Sequence, residues 1–393
     1  MDIVKDIQPF YQEFKVAERI LLSGHSHQAW PDVARQGVME CFNDAAKHID
    51  DKWELAFKKA EKVRAFYRRT MHDPNGQIAL GQSTHELILR FLSDLDGFKV
   101  KKKAPIKIVT TDGEFHSMRR QLNRLKTLGM SVEVVPTQPS ETLSARIIEK
   151  LDRSTDAVML SAVFFASSQI FQQVGEVSKA AKSLAIPCLV DVYHATNVIE
   201  LDLAKWQLQD AFIVGGGYKY CQAGEGNCFM RIPANYQGSP IITGWFAEFE
   251  VLSQAPDQVS YGKGQAAFAG STYDPTSHYR AAAVFDFFDQ QNLSVARLSE
   301  LNRQQVSRLW RGIETLHLAH EVLALPCHDI ADNAGFLSLT TPQAEKWVQK
   351  LKSRGVQADS RGNQLRLGPA PYVSNEQIDN ALNEIELVAK QFS

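Results

Sequence analysis

Between about residues 77 and 232 the chain alternates short apolar runs, rich in Val and Ile, with longer segments whose apolar positions recur every three or four residues. A short continuous apolar run bounded by turn residues reads as a buried strand, and the three-to-four spacing reads as one face of a helix. The strands expected are QIALG (77–81), IKIVTTD (106–112), SVEVVP (131–136), DAVMLSAVF (156–164), IPCLVD (186–191), DAFIVGG (210–216) and NCFMRIP (227–233). THELILRFLSDL, SMRRQLNRLKTL and VGEVSKAAKSL are the helices expected among them. Strands alternating with crossover helices predict a doubly wound α/β domain around a seven-stranded, mostly parallel sheet. After Pro275 the texture changes to long helical stretches such as RAAAVFDFFDQQ, then GFLSLTT and a final helix from Asn375. That change predicts a smaller, carboxy-terminal α+β domain.

At 393 residues the chain suits one large and one smaller domain. Its 43 Lys and Arg balance 45 Asp and Glu, so no net field attracts nucleic acid or anionic lipid. No stretch approaches the ~20 apolar residues of a membrane span, and charges interrupt the amino-terminal apolar residues, unlike a secretory signal. The expectation is a cytoplasmic protein whose partners are small molecules or itself. Five cysteines (Cys41, Cys188, Cys221, Cys228 and Cys327) show no zinc-like spacing, so neither a metal nor a disulfide framework is expected.

Ligands of an open parallel sheet gather beyond the carboxyl ends of its strands, and three such places carry polar residues. Ser83 and Thr84 follow QIALG, with Glu86 completing a capping-box pattern. They are either a good helix start or hydroxyls that join the helix dipole in receiving a phosphate. Asp191 ends IPCLVD. It is either a turn aspartate or a buried carboxylate needing a cation, for which a protonated pyridine nitrogen would serve. Lys219 follows Gly215-Gly216-Gly217-Tyr218. It is either a solvated lysine on a flexible turn or an amine whose burial favours the neutral, nucleophilic form, the glycines clearing backbone for a planar ligand. The order phosphate cup, aspartate, lysine within one α/β domain points to pyridoxal 5'-phosphate. No GxxxxGK[ST] or GxGxxG follows the first strand.

The stretches Asp191-Val192-Tyr193-His194-Ala195, Leu201-Asp202-Leu203 with Trp206, and Gly217-Tyr218-Lys219-Tyr220 resemble kynureninase, in the class V branch of fold type I pyridoxal-phosphate enzymes. So do Gly244-Trp245-Phe246 and the run from Arg354 through Asp359 and Arg366 to Tyr372. The resemblance implies an amino-terminal segment, 1–50, that contributes to the small domain and the active site, a large cofactor-binding domain, 51–275, and a small domain, 276–393. It further implies that Ser83 and Thr84 bind the cofactor phosphate, Phe115 stacks on the ring, and Asp191, with His194 beside it, holds the ring nitrogen. Lys219 would form the Schiff base, and Tyr218 would reach the phosphate and move a proton. Trp245, with Ser271 or Thr272, would reach the phosphate of a neighbouring subunit, which implies a homodimer with shared active sites. Arg366 would fork onto the substrate α-carboxylate, and Ser26 and His48 would lie near the substrate's aromatic end.

The implied reaction is hydrolysis of the Cβ–Cγ bond of a γ-carbonyl amino acid such as kynurenine or 3-hydroxykynurenine, yielding an aromatic acid and L-alanine, a step of tryptophan catabolism. A class V aminotransferase, a β-eliminating lyase or cysteine desulfurase using Cys327, and a regulator that binds the cofactor without turnover are the alternatives. Three departures from the family pattern surround the substrate rather than the cofactor. Met118 stands in place of an aspartate, Gly24-His25-Ser26-His27-Gln28 replaces GNSLG, and Glu248 replaces a histidine.

Overall fold

The computed structural model describes residues 3–99, 105–249 and 259–392. A two-residue strand near the amino terminus, β1 (Ile20–Leu21), stands apart from the main sheet. That sheet contains β2 (Gln77–Gly81), β3 (Lys107–Thr111), β4 (Ser131–Val135), β5 (Thr155–Ser161), β6 (Cys188–Asp191), β7 (Phe212–Gly215) and β8 (Cys228–Ile232). Their spatial order is β2-β8-β7-β6-β5-β3-β4. β8 runs antiparallel to both of its neighbours and every other pair is parallel, as the apolar runs predict.

Alternate residues of the central strands supply two separate cores. Val158, Leu160, Val190 and Ile213 pack on one face, and Ala157, Met159, Leu189, Phe212 and Val214 on the other. The twofold alternation of a strand, with apolar residues at both phases, is what commits this sheet to cover on both faces. Helix Thr84–Asp94 covers the second face with Leu87, Ile88, Phe91 and Leu92, and helix His116–Lys126 adds Met118 and Leu122. The run DAVMLSAVF outlasts its strand. β5 stops at Ser161, and Val163 and Phe164 turn back to meet Gln169 and Ile170. Their apolar character serves the core beyond the sheet rather than the ladder.

Toward the carboxyl terminus, β9 (Leu337–Thr340), β10 (Val356–Gln357), β11 (Asp359–Arg361) and β12 (Gln364–Leu367) follow. β11, β12 and β9 form an antiparallel sheet in that order, while β10 pairs in parallel with β1. Helices Val295–Thr315, Ala344–Ser353 and Asn375–Ala389 accompany them. The last begins in a capping box between Ser374 and Gln377, and the Gln377 amide also donates to the carbonyls of Val16 and Arg19. One buried amide thereby ties the amino-terminal segment to the carboxy-terminal helix. Helix Thr276–Gln290 packs on helices Val33–His48 and Lys52–Thr70, where Phe66 and Phe285 stack at 3.6 Å. No described helix is long and apolar enough to cross a membrane.

Candidate active site

The carboxyl ends of β5, β6 and β7 open into a cavity of about 280 Å³. Ser83, Thr84, Phe115, Asp191, His194, Tyr218 and Lys219 all line it, so seven of the residues expected at the cofactor converge in space. Ser83 caps helix Thr84–Asp94, its Oγ accepting from the Glu86 amide at 3.3 Å. The Glu86 carboxylate reaches back to the Gln82 amide rather than to Ser83 itself. Capping and phosphate binding are compatible, since the other first-turn amides have no intrahelical acceptor and the dipole there favours an anion.

Asp191 is buried at the tip of β6 and accepts from the Tyr193 amide at 2.8 Å. Burial pushes its carboxyl up, and that hydrogen bond and the charge of Lys219 offset this only in part, leaving it at about 6. Lys219 is buried as well, and burial lowers its ammonium to about 7, against the opposing pull of Asp191. Its Nζ lies 2.6 Å from His194 Nε2 and within 5.1–5.7 Å of the ring centroids of Tyr193, Phe115 and Tyr218. Burial, then the charge of Lys219, holds His194 well below the ordinary histidine range, so it meets Lys219 as a neutral ring.

The glycines before Lys219 act differently from the sequence expectation. A Cβ at Gly216 would lie 2.5 Å from Tyr193 Oη and 2.6 Å from Cys228 Sγ, and one at Gly217 would lie 2.1 Å from Asn227 Oδ1. They clear space for the protein's own side chains, of which Tyr193 and Cys228 wall the cavity, rather than for a ligand against the backbone.

Other expected site residues lie elsewhere. Ser271 and Thr272 line an adjacent cavity of about 510 Å³ that shares Gln82 with the first, and Trp245 donates to Thr272 Oγ1 at 3.2 Å. Ser26 and His48 are outside the lining of the Lys219 cavity. His48 ends helix Val33–His48, and in the amino-terminal loop it is His27, not Ser26, that stacks on Tyr218 at 4.9 Å. Arg366 reaches the cavity wall indirectly, donating to the carbonyl of Phe165 at 2.7 Å. Its Nε and Nη2 edge is engaged by Asp359 at 2.8 and 2.6 Å. Of the five N–H donors of a guanidinium, two therefore remain without a partner among the described residues. Met118 is buried in the apolar core and offers no polar group to the site. Glu248 accepts from the Ser260 amide, and Cys327 is exposed and absent from the cavity lining.

Sequence reasoning missed a buried carboxyl beside the aspartate. Glu114 accepts from Thr111 Oγ1 and from both Oγ and N of Ser161, whose register partner is Asp191. Burial raises it to about 8. The signal was its place just after an apolar run, the same signal that singled out Asp191. His25 and Asp359 were also missed as site residues.

Residues 303–385 match the family model for the kynureninase C-terminal domain. Over 377 residues, 93% of each chain, the protein is 21% identical to the uncharacterized aminotransferase YcbU of Bacillus subtilis. It superposes on the cysteine desulfurase of Thermococcus onnurineus with a TM-score of 0.82 at 18% identity, covering 100% of this chain and 99% of that one. The Escherichia coli cysteine desulfurase CsdA gives 0.81 at 12% identity, with the same coverage. The fold is thus that of the class V, fold type I pyridoxal-phosphate enzymes.

Pyridoxal 5'-phosphate is the cofactor of that class, and the residues present fit it. A buried amine held toward its neutral form, a carboxylate opposite it, an aromatic ring on the wall and a capped helix start all border one cavity.

Proposed function

We propose that the protein is a pyridoxal-phosphate hydrolase cleaving the Cβ–Cγ bond of a γ-carbonyl amino acid of the kynurenine or 3-hydroxykynurenine type, releasing an aromatic acid and L-alanine. The observation that carries this reading is the buried Lys219 amine, 2.6 Å from neutral His194 and sharing a cavity with Asp191, in a chain whose carboxy-terminal domain matches kynureninase.

When bound, the cofactor supplies an aldehyde for an amine and a ring that accepts the electrons of a bond broken at Cα. In this reading Ser83, Thr84 and the first-turn amides would hold its phosphate, Phe115 would stack on its ring, and Asp191 would keep its ring nitrogen protonated. Lys219 would take up the α-proton at Nζ, for which a lowered pKa suits it. His194 holds that amine in place. Tyr218, raised by burial to about 12, keeps its phenolic proton at neutral pH and would deliver it to Cβ, the carbon that stays with the alanine fragment when the acid leaves. The two unengaged N–H groups of Arg366 receive the α-carboxylate, and water completes the cleavage at the γ-carbonyl.

A homodimer belongs to the same proposal. Trp245, Ser271 and Thr272 lie outside the lining of their own Lys219 cavity, next to an exposed aromatic patch, which supports a role for them in the site of a neighbouring subunit.

The second reading is a class V aminotransferase or a lyase acting on carbon–sulfur bonds, favoured by the relatives named above. The exposed Cys327, away from the cavity, weighs against a desulfurase. A regulator without turnover is the remaining alternative. Product analysis after incubation of the reconstituted protein with kynurenine and 3-hydroxykynurenine separates them. Equimolar L-alanine and anthranilate-type acid supports hydrolysis. Amino-group exchange with a keto acid, or sulfide release from cysteine, replaces it with the second reading, and binding without any product replaces it with the regulator.

A further inference from the structure

The amino-terminal segment meets the surroundings of Arg366 through the buried side chain of His25. Backbone lacing brings it there. β1 runs beside β10, the Leu22 amide donates to Gln357 at 2.8 Å, and Gly368 exchanges two bonds with the 22–24 backbone. These are Gly368 N–H to the Leu22 carbonyl at 2.6 Å and Gly24 N–H to the Gly368 carbonyl at 2.7 Å. The next residue then places its ring on Phe336, stacked at 4.4 Å and 24°. Phe336 also faces the His194 ring at 5.5 Å and the Arg366 guanidinium at 5.5 Å. The ring fits only because position 368 is glycine, where a Cβ would come 2.3 Å from His25 Nδ1.

From that position His25 Nε2 lies 2.8 Å from Asp359 Oδ1, the oxygen that also accepts from Arg366 Nε at 2.8 Å. Arg366 Nη2 completes the pair on Oδ2 at 2.6 Å. A carboxylate only accepts, and His25 Nδ1 has no partner among the described residues, so Nε2 carries the hydrogen. Burial lowers His25 to about 4, which keeps the ring neutral with that single N–H. Burial alone would raise the Asp359 carboxyl, but the hydrogen bond from His25 and the pairing with Arg366 hold it well below the usual carboxylate range. Asp359 is therefore an ionised carboxylate gripped from two sides, one of them the amino-terminal loop.

We propose that His25 is a positioning residue for the substrate: its N–H fixes Asp359, and Asp359 fixes the Arg366 guanidinium so that its two remaining N–H groups meet the α-carboxylate of an amino acid. The inference rests on the reading that Arg366 binds that carboxylate. Its physical content is preorganisation. A guanidinium already locked by Asp359, the Phe165 carbonyl and the Phe336 face loses little rotamer freedom when a ligand arrives. An arginine whose carboxylate partner has lost its outer support must be ordered by the ligand itself, which weakens binding of carboxylate ligands and spares others.

The test uses cofactor-loaded protein and two probes that differ only at the carboxyl group, L-alanine and L-alaninamide, titrated by the absorbance change of the cofactor. His25→Ala is expected to weaken L-alanine binding about tenfold, the effect of losing one hydrogen bond in a charged network, while L-alaninamide stays within twofold. His25→Gln, which keeps an N–H at similar reach, is expected to recover most of the loss. Should His25→Ala not yield folded protein, the isosteric Asp359→Asn tests the same link from its other end and is expected to show the same selective loss. Equal weakening of both probes, or no change in either, overturns the proposal. Arg366→Ala separates the two layers. If it leaves the preference for L-alanine intact, the carboxylate reading of Arg366 fails. If it abolishes the preference while His25→Ala preserves it, the positioning role of His25 alone fails.

Discussion

Lys219 owes its chemistry to where its amine sits. An exposed lysine is protonated up to about pH 10.4 and is a poor nucleophile at neutrality, whereas burial lowers this one to about 7. The sign is that of a base pushed down: below pH 7 the amine is charged, and above it the free amine is available. Capture of pyridoxal phosphate by the cofactor-free protein is therefore expected to accelerate as pH rises through about 7 and then level off. Stopped-flow absorbance across pH 5.5–9.5 checks this, and a rate still climbing steeply at pH 9.5 would assign the amine an ordinary, solvated environment. Asp191 and Lys219 were legible in the sequence because each is the polar residue that ends or follows an apolar run. Glu114 carried the same mark and was overlooked. Its importance lies in three hydrogen bonds to Thr111 and Ser161, from strands that meet only in the folded sheet.

At the scale of elements, helix Thr84–Asp94 links fold to function, because one side chain both starts the helix and faces the cavity. Removing the Ser83 hydroxyl leaves the Glu86 amide without its cap, so Ser83→Ala is expected to cost about 1 kcal/mol of stability. It is also expected to weaken retention of the cofactor. Thermal unfolding with and without cofactor separates the two effects: a larger destabilisation of the loaded form indicates a phosphate contact, and an equal one indicates a cap alone. The seven strands of the main sheet were readable within a few residues, since each is an apolar run between turn signals. The pairing of β1 with β10 was not. Two-residue strands have no period, and the link they make possible, His25 to Asp359, spans 334 positions of sequence. The triple glycine suggests backbone cleared for a planar ligand, whereas Tyr193, Cys228 and Asn227 fill that space, and sequence order alone does not bring them there.

For the whole molecule, the outer surface beside the second cavity matters most. Trp53, Phe57, Trp245, Phe246, Phe249 and Tyr273 form one network of ring contacts, and Trp245 and Phe249 are 44% and 50% exposed. A contiguous exposed apolar patch marks an interaction surface, and a second copy is the occupant that the proposed shared site requires. Sedimentation is expected to show a dimer, and Phe249→Asp is expected to shift it toward monomer with a parallel loss of activity. A fully active monomer would contradict the shared site. Composition limited what was legible here: balanced charge removed nucleic acid from consideration but could not show which face meets a partner.

Lys219 is the amine on which capture of the cofactor turns. Borohydride reduction of the reconstituted protein, followed by proteolysis and mass spectrometry, locates the bound cofactor. The expected result is a pyridoxyl-phosphate adduct on the peptide carrying Lys219, with both the adduct and the visible imine absorbance lost in Lys219→Ala. An adduct on another lysine, or an unchanged spectrum in that variant, would contradict it.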